Sequence, residues 1–250
     1  MITDSFDNKS EAIINPTPNK KRARCELCIV TFSSLIEEYF KANFKAKKVG
    51  EFSNVNGVFP IYVFKHKGKT FGLYRTLLGA PASVGILEDV TETLDVKKFL
   101  AFGSAGILDK KICYGKVVVP TYAYRDEGTS YHYVKAKDYI KIKNSSVVSA
   151  FMKKYKIPYV EGRCWTTDAF YRETKNNFSK RKKEGCIVVD MECSAMQAVC
   201  DFRGFELYYF LLSGDLLDAP EWDNRKLHEA NHSLENFDIA LRLAEELAKN

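Results

Sequence analysis

Asp190 and Glu192 flank Met191 directly after the apolar run Cys186-Ile187-Val188-Val189, at the start of an amphipathic stretch. A strand that ends in acids and turns into a helix is where α/β proteins collect functional groups. Aspartate also suits a helix N-terminus, where it accepts backbone hydrogen bonds, so Asp190 has a structural use. Glu192 has less of one. A carboxylate facing a pocket there offers two acceptor oxygens, a match for a vicinal diol such as that of a ribose.

Other residues have the types and positions to act beside such a clamp. Asp215 follows an apolar run through Ser213-Gly214 and is a candidate proton donor, or else a turn aspartate. Gly103-Ser104-Ala105-Gly106 closes the run 98–102. Small residues admit a ligand to the backbone, and Ser104 can bond an anion or a hydroxyl; the plain alternative is a tight turn. Gly79-Ala80-Pro81 is a similar corner. In Trp165-Thr166-Thr167-Asp168-Ala169-Phe170-Tyr171-Arg172, Phe170 can stack on a planar base and Arg172 can bind an anion or a base carbonyl, unless these aromatics simply pack.

Two metal-type patterns do not lead to a metal site. His228-Glu229-Ala230-Asn231-His232 matches H-E-x-x-H, but its surroundings are polar and no third ligand is marked. Cys25-Glu26-Leu27-Cys28 has no second pair to complete a zinc site, so reduced, partly buried thiols are expected.

Elements must position these groups. Strand patterns fall at 27–31, 61–65, 70–74, 98–102, 116–119, 187–189 and 207–212, and helical patterns at 33–41, 82–93, 145–155, 192–203 and 225–249. Mixed strands and helices with neither repeat nor long linker predict one α/β domain over 25–250, after a polar, proline-containing arm over 1–24. The 250 residues suffice for a sizeable core, with 46% hydrophobic and 28% charged residues. Seven cysteines, an odd number, and a polar start read as cytoplasmic with reduced thiols. No apolar run approaches the ~20 residues of a membrane span. The net charge of +6 suits anionic small molecules; its basic clusters read as solvated loops, so no nucleic-acid partner is expected.

The order of these motifs, from the small-residue corner through G-S-A-G, Tyr124-Arg125-Asp126-Glu127-Gly128, Asp168-Ala169-Phe170-Tyr171 and Asp190-Met191-Glu192 to Ser213-Gly214-Asp215, resembles the nucleoside phosphorylase family. That family includes purine nucleoside phosphorylase, uridine phosphorylase and the methylthioadenosine nucleosidases. The resemblance implies a three-layer α/β/α fold with a central mixed, partly barrel-like sheet. It implies that Met191 packs under the ribose, Glu192 holds its 2′ and 3′ hydroxyls and Phe170 lies against the base. Ser104 would contact phosphate, or the water that replaces it, and Asp215 would protonate or hydrogen-bond a purine N7. No metal or organic cofactor is implied, and inorganic phosphate is the co-substrate. A homodimer or an assembly of dimers is expected, since a neighbouring subunit usually completes such sites.

Three positions depart from the family pattern. No glycine and no arginine occur in Val30-Thr31-Phe32-Ser33-Ser34-Leu35-Ile36, Ala101-Phe102 precedes G-S-A-G without an arginine, and Gly50 stands where a further arginine is usual. Arg125 and Arg172 are the candidates to supply the missing positive charge. The expected activity is phosphorolysis of a ribonucleoside to free base and ribose 1-phosphate, with purine favoured. The alternatives are a hydrolytic nucleosidase, a uridine phosphorylase and a nucleoside-binding protein without turnover.

Overall fold

Leu27 and Ile29 face one apolar core while Cys28 and Val30 face another, so the strand they form is buried on both sides. A strand with that burial must be central in a layered α/β molecule. In the computed structural model, which describes residues 1–249, the elements follow in this order. They are β1 (Ala23–Arg24), β2 (Leu27–Thr31), α1 (Ser34–Asn43), β3 (Ala46–Asn54), β4 (Gly57–His66), β5 (Lys69–Arg75), α2 (Ala80–Thr93), β6 (Leu94–Asp95) and β7 (Lys98–Ile107). The second half comprises α3 (Lys110–Cys113), β8 (Val117–Asp126), α4 (Ser130–Tyr133), β9 (Tyr139–Lys141), α5 (Ser145–Lys154), β10 (Tyr159–Thr167), α6 (Lys175–Lys183), β11 (Cys186–Asp190), α7 (Cys193–Arg203), β12 (Glu206–Leu216), α8 (Leu227–Asn231) and α9 (Leu234–Leu247).

The main sheet runs β11-β10-β8-β12-β7-β2-β5-β4-β3. β7 also pairs antiparallel with β11, through Gly106 opposite Val189 and Ile107 opposite Val188. That pairing closes the first five strands into a barrel, and β2, β5, β4 and β3 extend the sheet beyond it. The fold is therefore the expected three-layer α/β/α with a mixed, partly barrel-like sheet.

Each face of the sheet carries its own core. Val84, Leu87 and Val90 of α2 pack with Ala195, Met196 and Val199 of α7 on one side. Ile36 and Phe40 of α1, Phe151 and Met152 of α5, and Phe237, Leu241 and Ala244 of α9 fill the other. All seven cysteines are free and buried, and burial raises their thiols, Cys25 to about 12. Among the described residues no helix is long and apolar enough to cross a membrane.

Several boundaries differ from the sequence expectation. G-S-A-G does not close a strand: β7 continues through it to Ile107. Small residues there serve close packing, because a Cβ on Gly106 would stand 2.6 Å from Leu217 and 2.9 Å from Val189. The helix expected over 225–249 is two helices, interrupted at His232-Ser233, where His232 is tied sideways to Ser33. β10, containing Trp165, and the edge strand β3 lacked a clear alternating pattern. Residues 1–24 run irregularly along α2, where Thr17 N–H donates to Glu92 at 3.0 Å and β1 pairs with β6.

Candidate functional site

β2, β5, β7 and β12 run parallel, and so do β8, β10 and β11. Loops leaving the C-terminal ends of parallel strands converge, which is why ligands bind there in open α/β sheets. Here those ends carry Ser33, Gly79, Asp168, Glu192 and Asp215, and the middle of β7 carries Ser104.

Asp190 and Glu192 separate into different roles. Asp190 is buried and accepts hydrogen bonds from Thr166 Oγ1 at 2.7 Å, Tyr209 Oη at 3.1 Å, Cys164 Sγ at 3.2 Å and the Cys193 N–H at 2.8 Å. It anchors the first turn of α7 to β10 and β12. Burial raises its carboxyl, and these donors oppose the rise. The Thr166 hydroxyl also accepts the Ser194 N–H at 3.2 Å, and Ser194 Oγ donates to Glu127 at 2.9 Å. Neither Thr166, Ser194 nor Glu127 stood out in the sequence, because a buried hydroxyl network has no spacing signature.

Glu192 points elsewhere. Its Oε1 accepts the Gly79 N–H at 2.6 Å, across 113 residues of chain. Gly79 has φ +94, a backbone conformation that side chains disfavour, and this turns its N–H toward the carboxylate at the start of α2. Burial, with Asp190 beside it, pushes Glu192 up to about 8. A buried acid that retains an acceptor oxygen beyond its backbone contact is suited to hydroxyl donors. Met191 next to it is half-buried.

Asp215, half-buried near the end of β12, accepts the Trp222 indole N–H on Oδ2 at 2.7 Å. Trp222 arrives on a turn held by the bridge between Leu216 and Asp223. A Cβ on Gly106 would lie 3.4 Å from the other oxygen, Oδ1, so Asp215 leans over that glycine. Phe170 lies on a 3-10 turn, Phe170–Arg172, half exposed and with its ring 4.2 Å from that of Tyr171. Glu173 follows that turn, and the sequence reading missed it.

Ser104 Oγ donates to Asn231 Oδ1, and Ser33 Oγ contacts His232 Nδ1 at 2.5 Å. A Cβ on Gly103 would meet the Phe32 ring at 3.4 Å, and one on Gly214 would meet Ser104 Cβ at 3.2 Å. The two serines, the β7 glycines and the end of α8 thus form one polar corner. Burial and the neighbouring His228 lower His232 from its ordinary 6.5, so it is a neutral hydrogen-bonding group there. Its ring meets that of His228 at 4.5 Å.

The two candidate arginines sit differently. Arg125 is buried, and its guanidinium donates to Ser130 Oγ at 2.7 Å, Lys135 O at 2.8 Å and Val134 O at 3.1 Å. It also stacks on Tyr131 at 4.1 Å. Each nitrogen is engaged, so Arg125 is a strut for the loop after β8 rather than the phosphate ligand expected from sequence. Arg172 is exposed on the Phe170 turn.

Comparison with known proteins finds a matching family and distant relatives. A family model described as the phosphorylase superfamily matches residues 26–250. An uncharacterized protein, R802, of Acanthamoeba polyphaga mimivirus is 26% identical over 183 residues, 72% of each chain. A DeoD-type 1 purine nucleoside phosphorylase of Shewanella oneidensis is 27% identical over 154 residues, 60% of this chain and 65% of its own length. A DeoD-type purine nucleoside phosphorylase of Clostridium novyi is 22% identical over 197 residues, 78% of this chain and 84% of its own.

Proposed function

The chain belongs to the phosphorylase superfamily, and on that premise we propose that it cleaves the N-glycosidic bond of a ribonucleoside by phosphorolysis, with a purine as the favoured base. The observation that carries this reading is the Glu192 carboxylate, buried, fixed through one oxygen to Gly79 and keeping acceptor capacity on the other. A diol bound there places C1′ relative to the remaining groups. Orientation of that kind is worth as much as ~7 kcal/mol of the barrier.

Breaking the bond leaves positive charge on the ribose and negative charge on the base. Asp215 stands to donate a proton or hydrogen bond to N7, and Phe170 to lie against the ring; general acid help typically adds ~100-fold or more. The C1′–N9 electron pair leaves with the base, and an oxygen of the nucleophile bonds C1′. Phosphate would use the hydroxyls of Ser33 and Ser104, exchanging them from His232 and Asn231, and the first turn of α1. Arg172 is the guanidinium we assign to an incoming anion, and Arg172→Ala should raise the phosphate KM several-fold. A homodimer fits the family's habit of completing the site from a neighbour.

Water is the second reading, favoured by one observation: the serine corner is lined by hydroxyls, an amide and a neutral imidazole, while Arg125 is spent elsewhere. One experiment separates the readings. The protein is incubated with purine and pyrimidine ribonucleosides, with and without phosphate, and the sugar product is identified. Ribose 1-phosphate supports phosphorolysis, free ribose supports hydrolysis, and tight binding without cleavage overturns both.

A further inference from the structure

We propose that Trp222 is a positioning residue for the general acid: its indole N–H holds Asp215 by one oxygen and stabilises the carboxylate that forms as the proton passes to the departing base. This rests on the reading of nucleoside cleavage above.

Trp222 Nε1 lies 2.7 Å from Asp215 Oδ2, across seven residues of chain. An indole N–H only donates, so it takes an acceptor oxygen and leaves the acid's proton to the other one, Oδ1. Oδ1 is the oxygen that leans over Gly106, where a Cβ would stand 3.4 Å from it. The two oxygens therefore have separate duties: Oδ2 is tied to the indole, and Oδ1 is the one that serves N7.

The loop that delivers the indole is fastened on both sides of the acid. Leu216 and Asp223 exchange two backbone hydrogen bonds, at 2.8 and 3.2 Å, which close the loop 217–222. Arg225 Nη1 donates to Gly214 O at 3.2 Å, and its guanidinium stacks on Tyr114 at 3.9 Å. Gly214 and Leu216 are the chain neighbours of Asp215, so the loop is pinned immediately before and after it. Apolar burial does not account for the tryptophan, because its side chain is 64% exposed. An indole normally repays its placement by burying its ring, and here the bond to Asp215 is what the placement achieves.

That bond bears on rate through charge. As the C1′–N9 electron pair leaves with the base, the Oδ1 proton moves to N7 and Asp215 becomes a carboxylate; water returns a proton to it afterwards. A hydrogen bond from the indole to the carboxylate is charge-assisted and stronger than one to the neutral acid. A contact that strengthens as the reaction proceeds raises kcat rather than lowering KM.

The test measures kcat and KM for adenosine and inosine, and for the 7-methyl form of each, in the wild-type protein and in Trp222→Phe. Phenylalanine keeps an aromatic ring and deletes the donor. A 7-methyl purine carries its positive charge in advance and needs no proton at N7. Trp222→Phe should lower kcat on the unmethylated substrates by ~10-fold or more, with KM and all 7-methyl kinetics within about threefold of the wild type. In an Asp215→Asn background, Trp222→Phe should cost no more than about threefold on adenosine, because the two residues act as a unit. Equal losses on methylated and unmethylated substrates, full additivity with Asp215→Asn, or unaltered turnover each overturn the proposal. Failure of the wild type to cleave any ribonucleoside overturns instead the function on which it rests.

Discussion

The Glu192 carboxylate and the Gly79 N–H meet at 2.6 Å, joining the start of α7 to the start of α2. That contact decides which way the glutamate points. It also spares Glu192 the capping duty, which Asp190 performs two residues earlier. Two acids in one short acidic run thus make separate contacts: one holds the first turn of α7 and the other the start of α2.

Glu192→Ala should lower turnover at least ~100-fold through lost positioning of the ribose, with steady-state kinetics on the best ribonucleoside as the measurement. Glu192→Gln keeps the shape and should recover part of that loss. Near-normal turnover in the alanine variant would remove the diol assignment.

Asp190→Ala leaves the donors of Thr166, Tyr209 and Cys193 without their acceptor in a buried place. The cost should be ~3 kcal/mol or more, read as a lower midpoint in urea. Arg125→Met should cost ~2 kcal/mol by freeing the carbonyls of the loop after β8, and the phosphate KM of the folded fraction should stay within about twofold. A large rise in that KM would restore Arg125 to the anion site.

Stability should fall as pH rises from 6.5 to 8. Glu192 and Glu173 titrate at about 8 and about 7 in the folded chain, against an ordinary 4.5. The folded state therefore holds protons that the unfolded chain has released, and it loses that advantage as pH climbs through the folded values. Together they contribute a drop of roughly 2 kcal/mol across the window. Below 6.5, His232 works in the opposite direction, because its value is lowered. Melting curves at several pH values check this, and Glu192→Gln should remove most of the slope.

Gly106→Ala should damage activity and stability together. The added methyl would meet Leu217 and Val189 inside normal contact distance and press on Asp215 Oδ1. A loss of ~1–3 kcal/mol is expected from overpacking, with kcat reduced through displacement of Asp215. A variant that melts and turns over like the wild type would mean that β7 yields without moving the acid.

Much of this molecule is written locally. Apolar runs and helical periodicity marked β2, β5, α2 and α7, since burial on a sheet or helix face leaves a period in the sequence. The order of Ser104, Phe170, Met191, Glu192 and Asp215 along the chain carried the family resemblance that the comparison then established. What the sequence could not determine depends on contacts between distant segments. The G-S-A-G run is strand because β12 and β11 pair with it, not because glycine favours strands. Arg125 departs from its expected place for the same reason. A guanidinium becomes a strut when carbonyls of its own loop surround it. Residue type states what a group can do, and only its neighbours in the folded chain state how many of its bonds remain free to do it.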